Sequence, residues 1–307
     1  MAHADHRDLL DPRVLSRLSR LNVLARRPML GTVTGIHRSA TRGSSVEFAE
    51  YRKYVPGDDP RHLDWRVLAR TDRYYMKEFE ADTNLRCAMV LDASGSMAYV
   101  GAHGSKLDFA RRLAATLAYL LIQQGDAVGL TLAQRNGEID IPARRSPVHL
   151  QALLDVLAAT KADGSVEFSE ILHRTAERVR ARALVVVISD FFESPDALLP
   201  AFQHMRFRHH DLALFHVLDA DEVRFPFDRP VRFLDLEGAD QIVTDPAIIA
   251  EAYRREVAEY LETLKRGARE FDADYRLAMV SDGYEKVLAS FLLQRQRAGA
   301  VSGESVL

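Results

Sequence analysis

The sequence has one cysteine, Cys87, among its 307 residues, so no disulfide can form within the chain. That excludes a small disulfide-stapled secreted fold and fits a reducing compartment. Long apolar runs are missing too; none approaches the ~20 residues a helix needs to cross a bilayer. The opening Met-Ala-His-Ala-Asp-His lacks the basic-then-apolar layout of a secretory signal. A soluble, cytoplasmic protein is expected. Formal net charge is only -3, and there is no basic stripe interleaved with aromatics, which argues against a nucleic-acid or anionic-membrane binder. Neither a GxxxxGK[ST] phosphate loop nor a GxSxG nucleophile elbow occurs, which removes two common catalytic routes.

What the chain does have is an ordinary globular composition, 47% hydrophobic and 28% charged, over a length that can bury a large core. Residues 12–27 read as an amphipathic helix entered through Asp11-Pro12, with arginines on its wet face. A surface for a partner or an acidic lipid is the other reading of that basic stretch. Residues 30–84 hold several glycines, short β-prone pieces and the turn Pro56-Gly57-Asp58-Asp59-Pro60. They predict a small β-rich lead-in that ends in a strand over 73–80.

From Leu85 onward strands alternate with helices. Strands are expected at 85–91, 127–133, 183–189, 212–218 and 275–280. Helices are expected at 106–124, 147–159, 168–180, 195–207, 247–269 and 284–296. Such alternation predicts an α/β fold with a doubly wound, mostly parallel sheet covered on both faces. The resulting organisation is an N-terminal helical segment (1–29), the β-rich segment (30–84), the α/β domain (85–297) and a loose tail (298–307). Cys87, inside an apolar run, reads as a buried strand residue and not as a nucleophile.

In an open α/β sheet, ligands sit at the carboxyl ends of the strands. The first strand is followed by Asp92-Ala93-Ser94-Gly95-Ser96, the strand ending at Ser189 by Asp190. One carboxylate and two hydroxyls from one loop, with a second carboxylate from another, suit a hard cation such as Mg²⁺, which wants oxygen ligands and keeps waters. The plainer alternative is that Asp92 caps the next turn and the serines satisfy loop backbone groups.

The run Val90-Leu91-Asp92-Ala93-Ser94-Gly95-Ser96-Met97 resembles the metal-ion-dependent adhesion site of von Willebrand factor A domains, and Ile188-Ser189-Asp190 resembles the strand that supplies its last acid. Gly35-Ile36-His37-Arg38-Ser39, Arg42-Gly43, Glu47-Phe48, Tyr51-Arg52 and the stretch Tyr54–Trp65 resemble the bacterial family known as domain of unknown function 58. The likeness spans about 30–290. It implies a non-enzymatic interaction protein that works with a MoxR-type AAA+ ATPase, as an adaptor or co-chaperone acting on client proteins. An acidic residue of the partner would complete the coordination of Mg²⁺ (or Mn²⁺ or Ca²⁺). The resemblance assigns Asp92, Ser94 and Ser96 to the first metal loop and Asp190 to the third. In the second loop Val166 stands where a threonine ligand belongs; either Ser165, one position earlier, substitutes through a shifted loop or a water fills the gap, and a weakened or conformationally specialised site is implied.

Other clusters read more plainly. Asp58, Asp59, His62 and Asp64 fit a proline–glycine turn better than a second metal site. Arg135, Arg144 and Arg145 read as a solvated basic loop. His204, His209 and His210 lie where they complement a helix C-terminus. The runner-up function is a Mg²⁺-dependent phosphate-ester hydrolase with Asp92 as nucleophile. That chemistry wants an acid two residues on, where Ser94 stands, and a lysine on a neighbouring loop.

Overall fold

A computed structural model describes residues 8–21, 23, 47–54, 65, 67, 70, 74–80, 85–229, 231–238 and 241–304. The chain divides into two compact units, Met1–Arg26 with Arg86–Leu307, and Arg27–Leu85. Helix α1 spans Pro12–Leu18, capped by Asp11, whose carboxylate accepts from the Arg13 N–H at 2.8 Å. It is much shorter than the helix expected over 12–27. Ser19 ends it, and of the remainder 22 and 24–27 lie outside the described residues. Val14 and Leu18 are buried while Arg13, Arg17 and Arg20 are exposed, the one-sided pattern the sequence carries.

In the smaller unit, β1 (Glu47–Lys53) pairs antiparallel with β2 (Tyr75–Glu80), with a register shift between Phe48 and Glu50. The Tyr54 and Tyr74 rings lie 6.0 Å apart at the end of this ladder. The turn carrying Asp58, Asp59, His62 and Asp64, like His37 and Arg38, lies outside the described residues.

The larger unit begins with β3 (Arg86–Asp92) and a small hairpin, β4 (Val100–Gly101) and β5 (Gly104–Ser105). Helix α2 (Lys106–Gln123) follows, capped by Ser105 and closed where Gly125 takes φ +84, a left-handed conformation natural to glycine. Then come β6 (Ala127–Gln134), β7 (Gly137–Arg144), α3 (Pro147–Ala159), α4 (Phe168–Arg178), β8 (Leu184–Ser189) and α5 (Pro195–Phe207). The chain continues through β9 (Asp211–Leu218), the single turn α6 (Ala220–Arg224), β10 (Val231–Leu234) and β11 (Gln241–Thr244). It closes with α7 (Pro246–Glu270), β12 (Asp274–Met279) and α8 (Tyr284–Glu304).

The central sheet has the order β12-β9-β8-β3-β6-β7, parallel throughout except for the β6–β7 pair. It is the doubly wound, mostly parallel arrangement expected from the alternation. Every residue of β8 and β9 is buried, which is why these strands read as unbroken apolar runs. At about 1.5–3 kcal/mol per fully buried aliphatic side chain, such strands supply much of the hydrophobic driving force. Strand order reverses on either side of β3, so the β3–β8 boundary is where this fold places ligands.

Two expectations are corrected here. The basic loop at 135–145 is a β-hairpin whose second strand is β7, with Arg144 in its ladder opposite Val128. The loose tail expected at 298–307 is helical as far as Glu304, as α8 runs on.

Candidate functional site

Asp92 is the last residue of β3 and is 2% exposed. Its Oδ1 accepts from the Ser94 backbone N–H at 2.9 Å and its Oδ2 from the Ser189 hydroxyl at 2.6 Å. Ser189 in turn accepts from the Phe191 N–H at 2.8 Å. A single hydroxyl at the end of β8 thus ties the two acid-bearing strand ends together. The Ser94 and Ser96 hydroxyls lie 3.0 Å apart above Asp92, within a short 3-10 turn over Gly95–Ala98. Burial pushes Asp92 up to about 7, helped by the facing charge of Asp190; the bonds from Ser189 and Ser94 pull the other way. The two acids therefore sit close enough to repel.

Asp190 is 3% exposed, and its Oδ1 has no hydrogen-bond partner among the described residues. Its Oδ2 accepts from Lys106 Nζ at 2.7 Å, and the same ammonium donates to Glu222 Oε1 at 2.6 Å. Lys106 is 1% exposed. Burial works against its charge, but Asp190 and Glu222 outweigh that and its pKa ends above the usual lysine value. Glu222 is itself fixed: its Oε2 accepts from the Asp219 N–H at 2.7 Å, closing a capping box at the start of α6.

Sequence reasoning missed Lys106, Glu222 and Asp219. The signals were present. Lys106 falls on the buried stripe of α2, four residues before Ala110, where a lysine is out of place without a partner. Asp219-Ala220-Asp221-Glu222 has the spacing of a cap directly after an apolar strand.

The second loop comes to the site through its backbone. The Gly95 N–H donates to Gly164 O at 2.7 Å, and the Asp163 N–H to Ala93 O at 3.2 Å. Ser165 is exposed and its hydroxyl bonds to none of the described residues, whereas Val166 is half-buried against the core cluster that includes Phe168 and Phe191. Asp92, Ser94, Ser96 and Asp190 are thus brought together by the fold, while among the described residues no hydrogen bond joins the Ser165 hydroxyl to them. Among the described residues no three His, Cys, Asp or Glu side chains form a metal cluster. A cation here would rest on two carboxylates, the serine hydroxyls and water. The unpartnered Asp190 Oδ1 and the all-oxygen donor set fit a hard cation of that kind.

Two backbone features shape the rim. Phe191 holds φ +49, a left-handed conformation unusual for an aromatic residue, and is 1% exposed between the rings of Phe168, Phe202 and His216. Packing from three sides holds that turn, which redirects the chain just after Asp190. Over the other side lies the loop between β10 and β11. A Cβ on Gly95 would meet the Leu236 carbonyl oxygen at 2.0 Å, so only glycine lets this loop rest against the DxSxS turn.

A doubly wound, mostly parallel sheet thus carries the DxSxS turn at the end of its central strand β3. The chain belongs to the family described as protein of unknown function DUF58, whose model matches residues 50–263. Uncharacterized proteins of Mycobacterium bovis and Mycobacterium tuberculosis are each 28% identical over 301 residues, covering 96% of this chain and 94% of theirs. Among solved structures, an aerotolerance-related membrane protein from Bacteroides fragilis aligns with TM-score 0.45 and 17% identity, over 69% of this chain and 100% of that one. The VWA domain of SpRpn10 aligns with TM-score 0.40 and 11% identity, over 67% and 94%. No described helix of this chain is long and apolar enough to cross a membrane.

Proposed function

We propose that this protein is a non-enzymatic, cation-dependent interaction module. Asp92, Ser94, Ser96 and Asp190 would hold Mg²⁺ (or Mn²⁺ or Ca²⁺), and an acidic side chain of a partner would complete the coordination. The observation carrying this reading is the buried pair Asp92 and Asp190, where one carboxylate oxygen has no partner among the described residues and two hydroxyls stand alongside. With Val166 turned to the core, the second loop contributes no threonine oxygen, and waters take that place. The cation would offset the burial and the facing charge of Asp190 that together raise Asp92, and present a Lewis-acidic face to the partner. The family resemblance supplies the partner: a MoxR-type AAA+ ATPase in the cytoplasm, with this chain as adaptor or co-chaperone for its clients.

Lys106 gives the phosphate-ester hydrolase reading the lysine it wanted. Against it stands Asp92, whose two oxygens are both held by hydrogen bonds and whose neighbour two positions on is Ser94. Both readings are tested together. The ATPase should be recovered on the immobilised protein in Mg²⁺ and lost in chelator or with Asp92→Ala. Equal recovery in all three would overturn cation dependence. Turnover of p-nitrophenyl phosphate that requires Mg²⁺ and disappears in Asp92→Asn would overturn the non-enzymatic reading.

A further inference from the structure

A cavity of about 610 Å³ lies on the far side of Asp190, at the carboxyl ends of β8 and β9 and against α7. Its volume is that of a site for a small molecule or a few side chains. The ionisable acids around it are of one sign: Asp190, Glu193, Glu222, Glu256 and Glu259, with no lysine or arginine in the lining. Glu193 is committed to the backbone N–H groups of Phe168 and Ser169 at the start of α4, and Glu222 and one oxygen of Asp190 to Lys106. Glu256 and Glu259 are exposed on α7.

The walls are aromatic. Phe192 lines the cavity yet is 73% exposed. Tyr253 and Tyr260 turn their hydroxyls to the backbone carbonyls of Glu222 and Glu193, each at 2.9 Å, leaving their rings as lining surface. Asp190, buried in the lining, carries an oxygen, Oδ1, without a hydrogen-bond partner among the described residues, while His216 is held by the Tyr275 hydroxyl and the Asp190 backbone. Burial holds His216 neutral, its pKa down at about 4. Lys106 behind the wall offsets Asp190 and Glu222, which leaves Glu256 and Glu259 on the rim, and an acidic rim over aromatic walls is complementary to a positive group on an apolar stem.

We infer that this cavity is a recognition pocket for a guanidinium group, presented as an arginine side chain flanked by apolar residues on a partner protein. Arginine matches the lining better than lysine does, because its planar fork pairs with carboxylates and its face stacks on aromatic rings. The pocket adjoins the proposed cation site through Asp190 but does not depend on a bound cation. A partner could therefore meet the domain at two adjacent points, an acid at the DxSxS turn and an arginine here.

The test uses the full chain in chelator, with acetyl-Leu-Arg-Leu-amide and its uncharged twin acetyl-Leu-citrulline-Leu-amide titrated by calorimetry, and agmatine as the free guanidinium. The arginine peptide should bind at least roughly tenfold more tightly than the citrulline one, and more weakly as salt rises. The double variant Glu256→Gln/Glu259→Gln, on an exposed helix face where the fold is safe, should lower its affinity by roughly fivefold. Phe192→Ser should weaken binding without changing its salt dependence. Agmatine binding as tightly as the peptide would assign the pocket to a free guanidinium compound, overturning the protein partner. Equal binding of the arginine and citrulline peptides, no saturable binding of either, or indifference to the double variant would overturn the pocket itself. Because chelator is present throughout, none of these results bears on the proposed cation site.

Discussion

Two buried or half-buried carboxylates, Asp190 and Glu222, share the single ammonium of Lys106 at 2.7 and 2.6 Å. Lysine at the first position of a helix is ordinarily a solvent residue; here its side chain is sealed between acids 84 and 116 positions away in sequence. Removing one partner of a buried pair is costlier than the pair is worth, since it strands a desolvated charge. Lys106→Met should therefore lower unfolding free energy by about 3–5 kcal/mol, read from urea melts in chelator. Pairing it with Asp190→Asn should recover part of that loss, because the stranded charge is gone. A loss under about 1 kcal/mol would show that water, not Lys106, carries Asp190. Asp92, Ser94, Ser96 and Asp190 were legible in the sequence because each follows an apolar strand whose end the fold must place on the ligand edge. Lys106 and Glu222 were not legible as a pair, because nothing local marks residues that meet only through the tertiary fold.

At the scale of elements, the piece least visible in sequence is the β10–β11 hairpin. Its strands have four residues each, and Leu234, Ile242 and Val243 face solvent, so no burial period announces it. Strand β7 escaped for a similar reason: it is a polar edge strand containing Pro142, with only partial burial. The helices over 106–123, 147–159, 195–207 and 246–270 and the buried strands β3, β6, β8 and β9 were found to within a residue or so, since their apolar patterns are long and strong, whereas α8 runs eight residues past its expected end. What anchors β10–β11 is aromatic: Phe233 stacks on Phe225 at 5.5 Å and meets Phe227 at 5.4 Å, while Phe225 lies 4.5 Å from Tyr253 of α7. Its loop then rests on Gly95. In Gly95→Ala the new methyl would sit 2.0 Å from the Leu236 carbonyl oxygen and 3.2 Å from the Glu237 nitrogen, and backbone must move. The expected outcome is amide exchange at least roughly tenfold faster over 232–237, with protection in β3 and β8 unchanged. Unaltered exchange in the loop would mean that it does not bear on the DxSxS turn.

Two buried ion pairs lie at opposite ends of the central sheet. At the carboxyl edge lie the acids of the candidate site. At the amino edge Arg295 of α8 is fully buried, forked onto Asp211 at 2.7 and 3.2 Å and stacked over Phe291 at 4.8 Å. The class of fold was readable from alternation alone, but the strand order was not, because buried parallel strands of similar composition carry no label for their neighbours. Beside the amino edge His210 is 0% exposed, and its Nδ1 accepts from the Ala183 N–H at 3.3 Å. Burial drops its pKa from the ordinary 6.5 to about 4, with the nearby Arg208 adding to the fall and a bond to the Ala176 backbone opposing it. Between those values the unfolded chain binds a proton that the folded chain refuses. His210 therefore contributes stability that is full above pH 6.5 and is lost as pH falls toward 4, about 3 kcal/mol in all. His216, also held near 4, acts in the same direction. Asp92, raised to about 7, acts in the opposite one: in the cation-free protein its contribution is greatest below its ordinary 3.8 and is lost as pH rises through 7. The net slope mixes these terms, so the informative quantity is a difference between variants. Glutamine keeps an acceptor for the Ala183 N–H but cannot take up a proton. The gap in unfolding free energy between His210→Gln and the unaltered protein, from urea melts in chelator at pH 7.5, 5.5 and 4.0, should shift toward the variant by about 3 kcal/mol across that range. A gap that stays constant with pH would mean that His210 takes up its proton as readily folded as unfolded, and that acid sensitivity in this protein has another seat.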